Sequence, residues 1–552
     1  MHHKNKAPWL TIIVILGGML VAWPVWAAVT KLSGTMPTDG DVSSYTVSAT
    51  GNRVVFLADK ITDEVFELYS TTIAGGPPVK LHTGHVSSYT VSPDGQRVVF
   101  TSGQHLYSTA IDGTTAPITI SVNLDGAPSF YLSPDSKTVV YAGTLSVTTQ
   151  PNPMEPPITT VYPKLYSVAI TGTAASGVEL SQEWGDGAVA VVGITPNSQT
   201  VVFAARSGSN TPIKLYSIPI TGPNASAQPL ATITANGGTG PTILAAGTRL
   251  TPDGASVILS LDKIVTPLPA PNYPELYRIA ITGPENSEVR LDQQLTDNHY
   301  VSSYEISPDS SRVVYVINHY QLASSAEVYS VPTVGPASSA IKISPTFSAG
   351  SFIYSRNLAI SPNSTHVAYW VDNAGSSHTG IHTVPITGPT TSDIRLSPHS
   401  SSLSIGFTSS SFSYSPTGQW LVFRNNSGVF SVPSLGGTEN QLSNLPHGTF
   451  PYLFSGFHLS PDGQRIIYAG NTTTTTLEAY SVPIGGPAAA AVKLNGTLVS
   501  GGNVIPGLQF SADGARVMYV ADQETDGQFE LYASDAGYIN YSQKLYLPLV
   551  RR

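Results

Sequence analysis

The sequence predicts an all-β protein, a β-propeller built from about ten four-stranded antiparallel blades. Three observations predict it: one phrase recurs ten times, a second phrase follows each copy, and turn residues separate short β-branched and aromatic runs. Charged residues make up only 11% of the 552 residues, whereas Gly (49) and Pro (43) occur throughout. This composition suits many short strands and turns. With 41% hydrophobic residues, the chain can bury a large core, which argues against wholesale disorder.

The first phrase is a tight turn that leads into an apolar strand. Typical copies are SPDGQRVVF at Ser92, SPDSSRVVY at Ser307 and SPDGQRIIY at Ser460. In SPDG, proline suits the second position of a type I turn, and Asp and Gly adopt the conformations that follow it. We therefore interpret these Asp residues as turn formers. Serine is strained at positive φ, so we expect the turn to relax toward another form in the four copies with serine in place of the glycine: Ser136, Ser198, Ser310 and Ser364.

The second phrase supplies the next strands of each unit. It reads ELYSTTI from Glu67, KLYSIPI from Lys214 and ELYRIAI from Glu275, and a short segment such as VKLHTG follows most copies. With the SSYTV-like run before the turn, each unit becomes a four-stranded meander, strands a to d. Such a sheet has two faces to bury, and about ten sheets around one axis cover both faces of each.

The two ends of the repeat array predict how the ring closes. Residues 29–34, VTKLSG, look like an outermost strand d with no unit before it, and they can complete the last blade. We therefore expect one closed ring rather than two smaller rings. Two rings remain the alternative, because propellers typically have about four to eight blades and YSQKLYLPLV near the C-terminus can itself serve as strand d.

The SPDG turn, the apolar strand and LYS-x-x-I together resemble the TolB-like (WD40-like) β-propeller repeat. The resemblance covers nearly all of residues 30–545. The repeat occurs in the periplasmic TolB protein and in the propellers of prolyl-oligopeptidase-type peptidases. This sequence shows neither the separate N-terminal domain of TolB nor the hydrolase domain of the peptidases. The resemblance implies a propeller and says little about function, because propellers host many unrelated activities.

The N-terminal region predicts export. Residues 1–27 read as a signal peptide, with a basic start, an apolar run and a VWA site that predicts cleavage after Ala27. An uncleaved anchor is the alternative, because about 17 apolar residues is the lower edge of a membrane span. Residues 28–545 would then form an exported propeller in the periplasm or outside the cell, followed by a short tail, 546–552. We expect no membrane span after residue 27, and the lack of cysteine excludes disulfides.

Candidate binding residues come from the variable connections. The a–b turns hardly vary in length, whereas b–c connections range from TSGQ to AGTLSVTTQPNPMEPPITTVYPK, and loops on a rigid scaffold usually carry binding. Aromatic side chains there suit sugar stacking or protein hot spots, or they pack loops onto the disc. We expect alanine at Trp184 and Trp370 to weaken binding without unfolding the disc. The ligand-binding candidates are Trp184, Trp370, Tyr162, Tyr273, His299, Tyr300, His319 and Tyr320.

Two acidic loops resemble each other, ADKITDEVFELY from Ala58 and ADQETDGQFELY from Ala521. In a closed ring they would lie on adjacent blades, where clustered carboxylates can bind Ca²⁺. Their spacing matches no EF-hand loop, and solvated acids are the competing interpretation. The Ca²⁺ candidates are Asp59, Asp63, Asp522 and Asp526, and we expect no other cofactor.

The sequence contains no motif of catalysis. It has no G-x-S-x-G, no HExxH and no P-loop, and its net charge of −9 provides no basic surface for nucleic acid. We hypothesise an exported, non-enzymatic propeller that binds an unidentified protein or polysaccharide at the cell envelope or outside the cell. The alternatives are a glycan-active hydrolase or lyase with its site on the propeller's loops, and a passive envelope structural protein.

Overall fold

Ten four-stranded antiparallel sheets form the blades of one ring around a common axis. The structure is a computed structural model. It describes residues 29–150, 157–181, 187–208, 211–233, 247–262, 274–293, 299–319, 326–347, 351–353, 358–372, 379–397, 412–425, 428–443, 456–471 and 476–537. In each sheet the strands pair in the order a, b, c, d, and the a strands of neighbouring blades contact one another, so strand a is innermost.

The first five blades follow chain order. Blade 1 contains β2 (Val42–Val47), β3 (Arg53–Ala58), β4 (Glu67–Thr72) and β5 (Val79–His82). Blade 2 contains β6 (Ser88–Val91), β7 (Arg97–Ser102), β8 (His105–Ala110) and β9 (Ile118–Thr119). Blade 3 contains β10 (Ser129–Leu132), β11 (Thr138–Thr149), β12 (Ile158–Ala169) and β13 (Val178–Glu179). Blade 4 contains β14 (Ala188–Ile194), β15 (Thr200–Arg206), β16 (Ile213–Pro219) and β17 (Gln228–Ile233). Blade 5 contains β18 (Thr248–Leu250), β19 (Ser256–Asp262), β20 (Pro274–Ala280) and β21 (Val289–Arg290).

The last five blades repeat this plan. Blade 6 contains β22 (His299–Ile306), β23 (Arg312–His319), β24 (Glu327–Pro332) and β25 (Ile341–Lys342). Blade 7 contains β26 (Leu358–Ile360), β27 (His366–Val371), β28 (Gly380–Pro385) and β29 (Ile394–Ser397). Blade 8 contains β30 (Phe412–Tyr414), β31 (Trp420–Asn425), β32 (Gly428–Pro433) and β33 (Asn440–Gln441). Blade 9 contains β34 (Phe457–Leu459), β35 (Arg465–Asn471), β36 (Leu477–Pro483) and β37 (Val492–Lys493). Blade 10 contains β38 (Val504–Phe510), β39 (Arg516–Ala521), β40 (Glu530–Asp535) and β1 (Val29–Lys31).

The helices that lie wholly within the described residues are single 3₁₀ turns that follow strand c. They span Ala174–Ser176, Asn224–Ser226, Ala337–Ser339, Thr390–Ser392 and Ala488–Ala490. Within the described ranges, no helix has the length and hydropathy that crossing a membrane requires.

The N-terminal strand closes the ring, as the sequence predicts. Strand β1 pairs antiparallel with β40 as the outermost strand of blade 10, with Val29 opposite Ser534 and Lys31 opposite Tyr532. Blades 10 and 1 are also joined at the centre, where the Tyr45 hydroxyl donates to the backbone carbonyl of Gly507 at 2.6 Å. The prediction of one ring is therefore confirmed over two smaller rings.

The core lies between the blades. Ten apolar clusters each combine side chains from two successive blades, including one between blades 10 and 1. The middle strands b and c are buried on both faces because each face packs against a different neighbour. This explains why the RVVF and LYS segments read as nearly continuous apolar runs.

The a–b turns form an interlocked ring on one side of the disc. The expectation that the four serine-containing turns relax is wrong: Ser136, Ser198, Ser310 and Ser364 keep φ values of 62, 60, 61 and 59°. The physical reason is a hydrogen bond between blades. The Ser310 hydroxyl accepts the N–H of Asp253 in the preceding turn at 2.9 Å, and Ser136 does the same for Asp94 at 2.9 Å. A glycine could not make this bond.

We expect Ser310→Ala to lower the free energy of unfolding by about 1–2 kcal/mol. Alanine keeps the strain of the positive φ and loses the hydrogen bond between blades. Ser310→Gly loses the same bond but tolerates the backbone conformation, so its loss should be smaller. Urea denaturation of the two variants beside the parent protein measures both effects. Equal losses of stability in the two variants would contradict backbone strain at the positive φ of residue 310. No loss in either variant would contradict a stabilising contribution from the hydrogen bond between blades.

Candidate functional site

The two sides of the disc differ in their connections. We call the side with the a–b turns and c–d connections the turn face, and the side with the b–c and d–a connections the loop face. All ten a–b turns lie in the described residues, and each contains the phrase that the sequence repeats. Variation is concentrated on the loop face, where the sequence predicts binding.

Trp370 does not present its ring on the surface of the disc, where a ligand could stack on it. It lies in β27 with 2% of its side chain exposed, in the apolar cluster between blades 7 and 8 that also contains Ile381, Leu396 and Phe412. The expectation that Trp370→Ala spares the disc is therefore corrected: the ring fills the core, so its loss must cost stability.

The other aromatic candidates lie in several blades. Tyr162 is half-buried on β12 of blade 3. His299 and Tyr300 begin β22, and His299 lies directly opposite His319 in the pairing with β23. The structure thus brings together part of the predicted set in blade 6 and places Tyr162 apart from it. Trp184, Tyr273 and Tyr320 lie outside the described residues.

A hairpin of blade 3 projects beyond the disc on the loop face. Strands β11 and β12 are 12 residues each and stay paired from Thr138 opposite Ala169 to Thr149 opposite Ile158. In the neighbouring blade 2, by contrast, β7 and β8 are joined by the two-residue turn 103–104. Much of the connection that the sequence suggests as a loop is therefore β-structure. The alternating runs GTLSVTT and ITTVYP could have indicated this, because β-branched residues flank a proline-rich stretch of sequence.

The projecting part of this hairpin exposes aliphatic side chains. Val147, Ile158 and Val161 are 41%, 54% and 43% exposed. The Thr148 and Thr159 hydroxyls lie 2.8 Å apart across the two strands. The side chains of residues 143–149 and 157–163 are apolar or carry a hydroxyl, and none is charged.

A cavity whose described lining residues carry no charge lies at the base of the projecting hairpin, and we call it the neutral cavity. It has a volume of about 350 Å³ and opens between blades 3 and 4. Its walls come from the loop before β10, from β11 and β12, and from the start of β14: Gly126, Ala127, Ser129, Ala142, Gly143, Thr144, Pro163, Gly187, Ala188 and Val189. A cavity of about 290 Å³ between blades 5 and 6 differs in carrying a charge, that of Arg249.

Arg249 lies on the innermost strand β18 and bridges two blades. Its guanidinium contacts the Glu305 carboxylate at 2.8 Å and lies over the Tyr304 ring, 5.3 Å from the centroid. Burial opposes the charge, but the hydrogen bond and the charge of Glu305 outweigh it and raise the pKa of Arg249. The pair faces the ring axis at a position where other blades carry Thr46, Thr90 or His458. Sequence reasoning missed this pair, although aligning the repeats reveals the position.

The acidic loops are anchored by their first aspartate. The Asp59 carboxylate accepts the N–H groups of Asp41 at 2.5 Å and Glu64 at 3.1 Å. The Asp522 carboxylate likewise accepts the N–H groups of Asn503 and, at 3.1 Å, Gly527. Both aspartates are buried, so their oxygens serve the loop backbone.

The two loops lie on adjacent blades, as the closed ring requires. The Phe529 N–H of blade 10 donates to the Asp41 carboxylate of blade 1 at 2.6 Å. Burial raises the pKa of Asp41, and the acidic neighbours add to that rise. Asp63 and Asp526 are exposed, and the described residues contain no group of three or more His, Asp or Glu arranged to hold a metal ion.

We expect Glu64→Gly to raise the free energy of unfolding by about 0.5–1 kcal/mol, because relief of the left-handed strain outweighs the larger unfolded-chain entropy of glycine. Glu64 has φ of 61°, and the matching position in the other acidic loop is Gly527, with φ of 78°. Glycine relieves the left-handed strain, whereas the reverse change, Gly527→Glu, should introduce it. Denaturant unfolding of both variants measures the pair. A neutral result for both would contradict the strain at this position.

The fold and these sites define the chain as a ten-bladed β-propeller. No family model and no curated protein matches it. Among solved structures, it is similar to a dipeptidyl peptidase 4 from Porphyromonas gingivalis, with a TM-score of 0.40, 15% identity, and coverage of 62% of this chain and 51% of that one. It is also similar to a eukaryotic initiation factor, with a TM-score of 0.39, 10% identity, and coverage of 78% and 93%. The chain thus spans about half the length of the peptidase, and these likenesses concern the fold alone.

Proposed function

We propose that this β-propeller is a non-enzymatic binding module that recognises a protein partner through the projecting hairpin of blade 3. The observation that supports the proposal is the exposure of Val147, Ile158 and Val161 on a ribbon that extends past the disc. A two-stranded ribbon is marginally stable in water on its own. Covering these side chains stabilises a complex by about 25 cal/mol for each Å² of apolar surface removed from water.

The chemistry of the hairpin favours protein binding over the other functions considered. Its described residues beyond the disc, 143–149 and 157–163, include no carboxylate, imidazole or amine, the groups that general acid–base catalysis uses most. Sugar platforms are aromatic, whereas the exposed groups here are mainly aliphatic. A glycan-active enzyme and a polysaccharide-binding module are therefore less well supported at this site.

The proposed location is the cell envelope or the outside of the cell. It rests on the apolar run from Trp9 to Val25 and the predicted cleavage after Ala27. Detection of mature protein that begins at Ala28 in the periplasmic or secreted fraction would support it, and retention of the intact chain in the cytoplasm would contradict it.

The binding proposal is tested by differential capture with three baits. The baits are residues 28–552 of the parent chain, a hairpin variant (Val147→Thr, Ile158→Thr, Val161→Thr), and a control variant (Val334→Thr, Leu435→Thr). The control side chains are 69% and 60% exposed, but they lie on the turn face. Each bait is incubated with envelope and secreted fractions, and captured proteins are quantified by mass spectrometry. Thermal melts confirm that all three baits are folded.

The expected result is one protein that the parent and the control bait enrich equally and the hairpin variant recovers at background level. Equal recovery by all three baits would overturn the proposal, as would no enrichment by any. Enrichment of glycan in place of protein, lost with the hairpin variant, would replace the proposed partner with a polysaccharide.

A further inference from the structure

The projecting hairpin has one backbone edge that faces the ring axis. The Asp125 N–H donates to the Thr144 carbonyl at 2.9 Å, so the peptide groups of Thr144 point inward and away from β12. Residues in an antiparallel pair alternate between bonding the partner strand and pointing outward. Ser146 and Thr148 therefore also present their N–H and C=O groups to the inner edge. Pro163, opposite Thr144, fits this register because proline has no N–H to give to β11.

Within the described residues, no strand pairs with this inner edge beyond Ala142, in contrast to the same edge in blade 6. In blade 6, β22 pairs with β23 as far as His299 opposite His319. In blade 3, β10 pairs with β11 only as far as Ser129 opposite Ala142. In the described residues, the Asp125 N–H is the one backbone donor that continues the pairing beyond this point, and the Asp125 carboxylate accepts the Ser146 hydroxyl at 2.9 Å. Unpaired N–H and C=O groups in a row are a template for another strand.

The neutral cavity begins where the pairing of β10 with β11 ends. Its lining includes Ala142, Gly143 and Thr144 of β11, on the side that faces blade 4. Side chains of a strand laid along the inner edge would point alternately to the two faces of the blade, and those facing blade 4 would enter this cavity. None of the described lining residues is charged, so a charged side chain in the cavity would be desolvated without a partner among them.

We infer that an extended, uncharged segment of the partner adds as a strand to the inner edge of β11, next to Ser146 and Thr148. It takes the place that strand a occupies lower in the same blade and inserts one uncharged side chain into the neutral cavity. Main-chain hydrogen bonds supply the affinity and the cavity supplies the specificity. This inference rests on the proposed function and names the part of the partner that binds.

The test uses a phage-displayed library of random dodecapeptides, selected against residues 28–552. Thr148→Pro removes the inner-edge N–H and blocks strand addition. Thr159→Pro is the matched control, because Thr159 lies directly opposite Thr148 and its N–H points to the outer edge. Both changes remove the same contact between the two threonine hydroxyls. Affinities of synthetic copies of the selected peptides are measured by fluorescence anisotropy.

The expected result is a set of uncharged peptides rich in β-branched and aromatic residues. Their affinity should fall at least about tenfold with Thr148→Pro and stay within twofold with Thr159→Pro. Ala127→Phe, which places a ring at the mouth of the cavity, should shift a repeated selection toward peptides with smaller side chains. Failure to enrich any peptide relative to the Thr148→Pro protein would overturn the inference, as would selection of charged peptides.

The outcomes also separate this inference from the proposed function. If the hairpin variant with threonine at positions 147, 158 and 161 loses the peptides while Thr148→Pro keeps them, the hairpin binds through its side chains. Strand addition is then wrong and the proposed function stands. If neither the hairpin variant nor Thr148→Pro changes the affinity, both are wrong.

Discussion

Replacing Trp370 with alanine is expected to lower the free energy of unfolding by about 3–5 kcal/mol. The indole is almost fully buried between blades 7 and 8, where it packs in one cluster with Ile381 and Leu421. Removing it leaves a cavity lined by rigid strands of two different blades, which cannot close easily around it. Urea denaturation followed by far-UV circular dichroism measures the loss.

Trp420→Ala is the matched control. Trp420 is only partly buried, at the start of β31, and packs against the edge of the cluster between blades 8 and 9. Its removal should cost clearly less than the removal of Trp370. Unchanged stability of Trp370→Ala, together with weaker capture of the partner, would return Trp370 to the surface role that the sequence suggests.

Leu32→Ala is expected to lower the free energy of unfolding by about 2–5 kcal/mol and to promote self-association. Leu32 is fully buried in the cluster between blades 10 and 1, and its N–H donates to the Leu531 carbonyl at 2.7 Å. Strand β1 is held by this burial and by its pairing with β40, because no hairpin connects the two strands. Once β1 detaches, β40 presents an unpaired edge to other molecules. Light scattering at increasing concentration measures the association.

Leu81→Ala provides the comparison for this effect. Leu81 follows a lysine in strand d of blade 1, as Leu32 follows Lys31, and it is also buried. Its strand is joined directly to β4 by residues 73–78, so it stays near its partner when packing weakens. We expect a similar loss of stability without association. Equal association of both variants would show that the closing strand has no special role.

The sequence was sufficient for the architecture because the repeat unit is written ten times. The turn phrase, the LYS strand and the unpaired segment 29–34 predicted the number of blades and the closure of the ring. Burial was harder to predict, since strands b and c are covered on both faces and alternation gives no outward side. Trp370 occupies the position that holds Leu57 in blade 1 and Val316 in blade 6, and this comparison of repeats could have indicated a core residue.

Two exchanges between repeats carry further structural information. In blade 1, the Arg53 guanidinium donates to the Ser70 hydroxyl at 3.0 Å. In blade 5 the partners are exchanged, with Arg278 on strand c and Ser256 on strand b at 2.8 Å. An ion pair between strands c and d is exchanged in the same way: Glu67 with Lys80 in blade 1, and Lys164 with Glu179 in blade 3. Such paired exchanges reveal contacts from the sequence alone.

The candidate site could be predicted only in part. Tyr162 and the long connection of the third unit lie in the blade that carries the proposed hairpin site. The inner edge of β11 could not be predicted from the sequence, because it depends on where β10 stops pairing with β11. Strand β10 has four residues and β22 has eight, and this difference lies in backbone geometry rather than in residue type.

Ring closure by β1 imposes an order in time. Lys31 contacts Glu524 across a separation of 493 residues, so at a synthesis rate of about 5–20 residues per second the first strand waits roughly 25–100 s for its partner. During that interval the first blade and the most recently completed blade each have a neighbour on one side and an open surface on the other. Strand β1, which is synthesised first, therefore becomes ordered only when blade 10, which is synthesised last, is complete. A chain whose synthesis stalls before blade 10 leaves β1 unpaired and accessible to chaperones and proteases.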